Sequence, residues 1–335
     1  MAGLLGSIVL VVIATGVIWK GSAYFEQAAE RLSKYYGLPV AVHGAIVVAV
    51  GSSFPEISSV VISTVVHDEF SLGVGAIVGS AIFNLLVIPA LAALSSEELR
   101  STRDIVHKDA QFYVISILIL FIVFALGATY VPGGTNRAAI LTPTLAAIPL
   151  ITYGIYVFLH QQDASEHVAD ETHNIRPSRE WGLLGVGLLV ITIGVEVMVQ
   201  GALSLGVIFD TPPFLWGLTV IAAGTSLPDA FVSIRAAKND DSITSLTNVL
   251  GSNTFNLLVA IPVGVLLAGE AIIDFRVAIP TMGFLGFATL VFLIFIRTDL
   301  ELSDREAYTL FGLYVVFVGW MTLESVGLIE TISGI

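Results

Sequence analysis

Ten apolar runs follow one another along the chain, at about 3–33, 38–66, 70–95, 109–130, 137–160, 181–207, 213–237, 243–268, 276–297 and 304–331. A helix needs roughly 20 mostly apolar residues to cross a bilayer, so each run predicts one transmembrane helix. One sizeable polar stretch interrupts them, QQDASEHVADETHNIRPSRE at 161–180. Its acids and hydroxyl residues read as a solvated linker with no catalytic pattern. The linker separates a first unit, 1–160, from a second, 181–335, each with five runs. The predicted fold class is all-α: a polytopic membrane protein of ten transmembrane helices.

The two units repeat one another. Gly21 and Gly194, Gln27 and Gln200, Gly44 and Gly217, Gly51 and Gly224, Ser53 and Ser226, and Pro55 and Pro228 all recur at a spacing of 173 residues. The spacing falls to 172 by Ser80 and Ser252, so one residue is lost in the short loop between. A repeat with an odd number of spans places its second copy upside down in the membrane. Inverted repeats of this kind put a transport site at the interface between the copies.

Composition fixes the environment. The chain is 56% hydrophobic and 12% charged, with a mean hydropathy of +0.91, against roughly 25% charged residues in soluble domains. The lipid bilayer is therefore its surroundings. There is no cysteine, which excludes disulfide and thiol chemistry. A net charge of −13 speaks against nucleic acid, and no obligate protein partner is evident. The apolar N-terminus lacks a basic leader and a convincing cleavage site, and reads as a retained first helix. With the N-terminus outside, 12 of the 14 Lys and Arg fall in loops on the inner side, and only Arg137 and Arg276 fall outside. That positive-inside bias predicts a multi-pass cell-membrane protein whose 161–180 loop is cytoplasmic.

Two pairs of stretches contradict the apolar pattern. AVGSSFPE at 49–56 matches AAGTSLPD at 222–229, and GSAIFN at 79–84 matches GSNTFN at 251–256. Polar side chains at membrane depth are costly and mark function by default. Gly51 and Pro55 should break the helix, as should Gly224 and Pro228, freeing carbonyls such as those of Ala49 and Ala222. Glu56 follows Pro55, which suits the first turn of a resumed helix. Ser80 and Asn84, like Ser252 and Asn256, lie four apart on one helix face. Joined by symmetry, the segments offer two carboxylates, amide oxygens, hydroxyls and free carbonyls. An all-oxygen shell suits hard cations such as Ca²⁺ and Na⁺ rather than zinc or copper. Small residues also serve helix packing, and Phe83 and Phe255 read as packing only. A buried acid at the same place in both copies, Glu56 and Asp229, does not. Ser52 and Thr225 fit either role. Glu196, deep in the sixth run opposite Ala23, is placed near the outer mouth, and His43 at an interface. Asp68, Glu69, Asp240 and Asp241 read as solvated loop acids.

At these paired motifs, G[ST]S-x-P-[ED] and GS-x-x-x-N, the chain resembles the cation/calcium exchanger superfamily, in its prokaryotic ten-helix sodium/calcium exchanger branch. The resemblance spans essentially the whole membrane domain. It implies a pocket in which Glu56 and Asp229 are the central ligands. Asn84, Asn256, Ser53, Ser226, Ser80, Ser252, Thr225 and the carbonyls of Ala49 and Ala222 complete the Ca²⁺ and Na⁺ positions. It implies a secondary antiporter, not an enzyme, that moves Na⁺ and Ca²⁺ by alternating access and uses no cofactor. Many prokaryotic members carry Glu at the place of Asp229 and Asp at that of Asn256, so this set looks more like the animal exchangers. Neutral Asn256 also disfavours K⁺ dependence, because K⁺-dependent members carry Asp there. Residues 161–180 are too few for a large regulatory domain. A Ca²⁺/H⁺ exchanger using the same acids, and less readily a cation channel, remain the alternatives.

Overall fold

The structure is a computed structural model that describes residues 2–36, 49–96, 98–103, 105–131, 138–163, 176–325 and 329. His43, Gly44, Arg137 and most of the predicted linker lie outside these residues. In chain order the first half forms α1 (Ala2–Tyr35), α2 (Ala49–Ser52), α3 (Phe54–Val65), α4 (Phe70–Leu86), α5 (Ile88–Ser95), strand β1 (Leu99–Arg100), α6 (Ala110–Thr129), strand β2 (Ala138–Leu141) and α7 (Pro143–Asp163). The second half forms α8 (Pro177–Phe209), α9 (Pro213–Trp216), α10 (Ala222–Lys238), α11 (Ser242–Phe255), α12 (Ile261–Ala268), strand β3 (Ala271–Asp274), α13 (Phe275–Arg297), strand β4 (Glu301–Leu302) and α14 (Asp304–Ser325).

Nine stretches among the described residues are long and apolar enough to cross a membrane. The tenth predicted run, 38–66, is described only from residue 49 onward, where α2 and the short apolar α3 stand. Two boundaries differ from the hydropathy pattern. The run at 137–160 begins as a strand, because 138–141 pairs with β3 and Pro143 then opens the helix. Helices α7 and α8 extend into both ends of the 161–180 stretch, to Asp163 and from Pro177.

The strands form two antiparallel ribbons. Leu99 pairs with Leu302 and Arg100 with Glu301, while Ala138 pairs with Asp274 and Leu141 with Ala271. Each ribbon joins the strand after the third span of one half to the strand before the fifth span of the other. Exchanging the halves therefore exchanges the ribbons. Helix α13 runs from β3 to β4 over 23 residues, about 35 Å, so the ribbons lie at opposite ends of the molecule. The β1–β4 end carries Arg100, Arg297 and Arg305, and the α10–α11 loop reaches it through a bond from the Ser242 hydroxyl to the Glu98 carbonyl (3.3 Å).

Burial separates an interior from the helices around it, two of which pair as a second body. The α4–α5 and α11–α12 stretches are the interior, with 89% and 83% of their apolar windows buried, whereas α1 shows 17%. The backbone of α4 comes close to that of the 213–221 segment. A Cβ on Gly79 would lie 2.0 Å from the Leu218 carbonyl oxygen, and one on Gly217 would lie 2.1 Å from that of Leu72. The second body is the long antiparallel pair α1 and α8. Gly187, Gly194 and Gly201, seven apart on one face of α8, meet Phe25, Ile18 and Val11 of α1, the small-residue contact that membrane helices use. Arg31 to Glu180 (3.4 Å) and the Trp181 indole to the Tyr36 hydroxyl (3.2 Å) fasten the pair at one end. The pair seats on the interior through an apolar layer that includes Ile18, Phe25, Met198, Ile62, Leu72 and Ile221.

Candidate functional site

The two Pro-containing motifs are built differently. Helix α2 ends at Ser52, Ser53 departs from helical geometry (φ −89°, ψ 9°), and α3 restarts at Phe54 with Pro55 and Glu56 in its first turn. That is the predicted break, and it places a carboxylate at a helix N-terminus. The predicted break at 222–229 is absent. Helix α10 runs unbroken through Pro228, and the irregularity lies upstream, in a wide π-helical turn at Gly217–Ile221. Proline leaves the carbonyl four residues back without a donor, here that of Gly224, where the missing Cβ leaves room for Met198 and Thr15 alongside. The Ala222 carbonyl is covered rather than free. The Thr225 hydroxyl donates to the carbonyls of Ile221 (3.0 Å) and Ala222 (3.4 Å). Ala49 opens α2 as Ala222 opens α10.

The four motifs converge. Ser52, Ser53, Glu56, Ser80, Asn84, Thr225, Ser226, Asp229, Ser252 and Asn256 are all fully buried, and Ala222 is 1% exposed. The Ser80 hydroxyl meets that of Ser226 at 2.7 Å, one donating to the other, and both lie 3.4 Å from Glu56 Oε1, to which the hydroxyl with the spare proton donates. One turn further along α4, Asn84 Nδ2 donates to Asp229 Oδ2 at 3.1 Å. Because Ser80 and Asn84 stand one turn apart, about 5.4 Å, α4 holds both carboxylates at one locus. The Ser52 and Ser252 hydroxyls meet at 3.2 Å, so residues from α2, α3, α4, α10 and α11 share the centre.

Several buried atoms there have no hydrogen-bond partner among the described residues: Glu56 Oε2, Asp229 Oδ1, Asn84 Oδ1, Ser53 Oγ, and both side-chain atoms of Asn256. Five of these six are oxygens. No Lys, Arg or His pairs with either acid among the described residues. Buried charges without partners are strongly unfavourable, so the centre suits a cation or a proton. A proton would satisfy a carboxylate. It would leave the Asn84 and Asn256 amide oxygens orphaned, whereas a hard cation takes six to eight such oxygens. The residues present fit Ca²⁺ and Na⁺ as substrates.

A cavity of about 600 Å³ leads to this centre from the β1–β4 end. It is lined by Trp19, Ala23, Glu26 and Gln27 of α1, by Phe231, Arg235 and Ala236 of α10, and by Asn239 and Thr244 nearer the loop, and it touches Ser52. Sequence reasoning passed over Glu26, whose Oε1 is buried without a partner among the described residues, because its counterpart in the second half is Val199 and the repeat gave no signal. It also passed over Asn253, which lies inside a motif and bonds the Ala81 carbonyl (3.1 Å). Phe83 packs edge-on to Tyr314 and Phe255 to Tyr153, in agreement with a packing role. Asp241 caps α11 through the Thr244 amide (3.0 Å). Glu196 lies at the end away from the cavity, bonded to His67.

Comparison with known proteins gives a consistent result. A family model described as sodium/calcium exchanger protein matches residues 6–160 and 179–323. The sodium/calcium exchanger MaX1 of Methanosarcina acetivorans is 25% identical over 332 residues, covering 89% of this chain and 93% of its own. The inner membrane protein YrbG of Escherichia coli is 28% identical over 241 residues, covering 70% and 71%. Among solved structures, the sodium-calcium exchanger NCX_Mj superposes with a TM-score of 0.64 over 95% of this chain and 98% of that one. At 23% identity that is a likeness of fold.

Proposed function

Because the chain belongs to the sodium/calcium exchanger family, whose members are cation transporters rather than enzymes, we propose that it exchanges Na⁺ for Ca²⁺ at one central site by alternating access. The observation that carries this reading is the set of five orphaned oxygens around two buried acids. Glu56 and Asp229 are the central ligands. Asn84, Asn256, Ser52, Ser53, Ser80, Ser226, Ser252, Thr225 and the carbonyl of Ala49 complete the Ca²⁺ and Na⁺ positions, and the Ala222 carbonyl, covered in this form by the Thr225 hydroxyl, is left out. Both ions need the same carboxylates, so occupancy by one excludes the other. The units 1–160 and 181–335 act as inverted repeats joined by a cytoplasmic linker. The protein sits in the cell membrane with its N-terminus outside and the β1–β4 end, rich in Arg, in the cytoplasm.

The cavity at that end makes the structure an inward-open form. Sliding of the α1–α8 pair across its apolar seat closes the cavity and opens the opposite side. The site has two carboxylates, so Ca²⁺ leaves it neutral and a third Na⁺ would leave it at +1. Exchange is then electrogenic, and neutral Asn256 makes it independent of K⁺. The test is Ca²⁺ uptake into proteoliposomes under imposed gradients. Uptake driven by an outward Na⁺ gradient is the expected result. Uptake that follows a pH gradient instead would favour Ca²⁺/H⁺ exchange, and flux that needs no counter-ion would favour a channel.

A further inference from the structure

The side of the molecule away from the cavity is closed by a polar contact that the repeat does not copy. His67, in the loop after α3, meets Glu196 of α8 through Nε2, at 3.0 Å to Oε2 and 3.2 Å to Oε1. Gln200, one turn along α8, donates to Glu196 Oε1 at 2.6 Å and fixes its direction. The pair is partly buried, with 18% and 30% of the two side chains exposed. It ties the two-helix body to the interior at the β2–β3 end, since the α3–α4 loop enters α4 opposite β1.

In an inverted repeat, the form open to one side is the image of the form open to the other. The image of each closing contact is found by moving to the equivalent residues. At the 173-residue spacing, Gln200 corresponds to Gln27 and Glu196 to Ala23, while His67 lies in the loop where the spacing falls to 172, since left-handed Asp68 (φ 57°) matches Asp240 (φ 60°), and so corresponds to Asn239. Gln27, Ala23 and Asn239 all line the open cavity. When the cavity closes, Ala23 has no side chain that can bond Asn239. The contact exists for one closed side only.

We propose that His67, Glu196 and Gln200 form a one-sided latch that holds the outer mouth shut and biases this exchanger toward its inward-open form. The inference rests on alternating access as proposed above. A hydrogen bond to a charged group is worth enough to shift the balance between the two forms by roughly tenfold. Ion entry from outside must then displace the latch, whereas entry from the cytoplasm meets no counterpart.

The chain has no cysteine, so single cysteines report access without background. Ala236→Cys lines the inner cavity. Val199→Cys is fully buried here and corresponds to cavity-lining Glu26, so it reports the outer opening. Labelling by an impermeant maleimide is measured from each side of proteoliposomes. Glu196→Ala, which copies Ala23, should speed labelling of Val199→Cys from outside about tenfold and slow that of Ala236→Cys from inside. Glu196→Gln keeps an acceptor for His67 and should give a smaller change. His67→Ala removes the same bond from a loop, and decides the matter if the helix variant fails to insert. Unchanged labelling from both sides in well-inserted His67→Ala would overturn the latch. The labelling is independent of ion flux: absence of Na⁺-driven Ca²⁺ uptake in the parent protein would count against the exchanger reading, not against the latch.

Discussion

In the first half the stretch 49–56 is two helices meeting at Ser53, whereas in the second half 222–229 lies inside one continuous helix that carries Pro228. Glu56 therefore sits in a first turn, where the helix dipole favours a carboxylate, and is approached by the hydroxyls of Ser80 and Ser226. Asp229 hangs from mid-helix on a shorter side chain and is held by the Asn84 amide. The mirror-image bond, from Asn256 to Glu56, is not made, and both side-chain atoms of Asn256 lack partners among the described residues. Equal spacing in sequence has delivered equivalent chemistry to one place on unequal backbones. The halves thus share the work of a site without being interchangeable.

The comparison breaks most completely if either carboxylate is dispensable. Glu56→Gln and Asp229→Asn should each reduce Na⁺-driven Ca²⁺ uptake to background while the protein still inserts. Near-normal uptake by either purified variant would remove that half from the site.

Next in size is the response to voltage. One net charge crossing the membrane is worth about 2.3 kcal/mol per 100 mV. In liposomes clamped with valinomycin, an inside-negative potential should favour Na⁺ entry and Ca²⁺ extrusion. Reversal conditions indifferent to the clamp would mean neutral exchange of two Na⁺.

The crossing that brings the halves together is tested by Gly79→Ala. Its methyl would lie 2.0 Å from the Leu218 carbonyl oxygen, and overpacking of this kind costs about 1–3 kcal/mol. A clear drop in thermal midpoint is expected. Gly283→Ala meets open space and should change little, so equal effects would argue against a close backbone crossing.

The two amides should differ in sign. Asn84→Ala removes the donor to Asp229 and should destabilise the ion-free protein by about 1.5–3 kcal/mol. Asn256→Ala deletes two unpartnered atoms, so ion-free stability should hold or rise while Ca²⁺ affinity falls. Thermal melts with and without Ca²⁺ separate these outcomes, and a matching loss from both would restore symmetry to the halves. The smallest effect concerns K⁺: with neutral amides at both positions, replacing K⁺ by choline on both sides should leave exchange unchanged.

Much of this was legible in the sequence. Apolar run length is a direct consequence of bilayer thickness, and the polar positions inside the runs had few alternatives at that depth. The Glu56 break was readable because Gly51 and Pro55 act together on one short segment, and it falls between them at Ser53. The continuity of α10 was not, because whether proline breaks a helix or is absorbed depends on the neighbours. Here the Gly217–Ile221 turn and the space beside Gly224 absorb it. Strand β2 was hidden inside an apolar run, since its pairing with β3 is a contact between halves. His67 and Glu196 also escaped joint notice: one stood in a loop and one in a span, and only the packing of α8 on the interior brings them together.

The central claim is that both halves build one site at which Na⁺ and Ca²⁺ exclude each other. Its most direct test is equilibrium binding of radiolabelled Ca²⁺ to the purified protein across a series of Na⁺ concentrations. A single shared site predicts one Ca²⁺ bound per chain, displaced fully by Na⁺ and lost in both Glu56→Gln and Asp229→Asn. Ca²⁺ binding that is indifferent to Na⁺, or that survives in either variant, would contradict it.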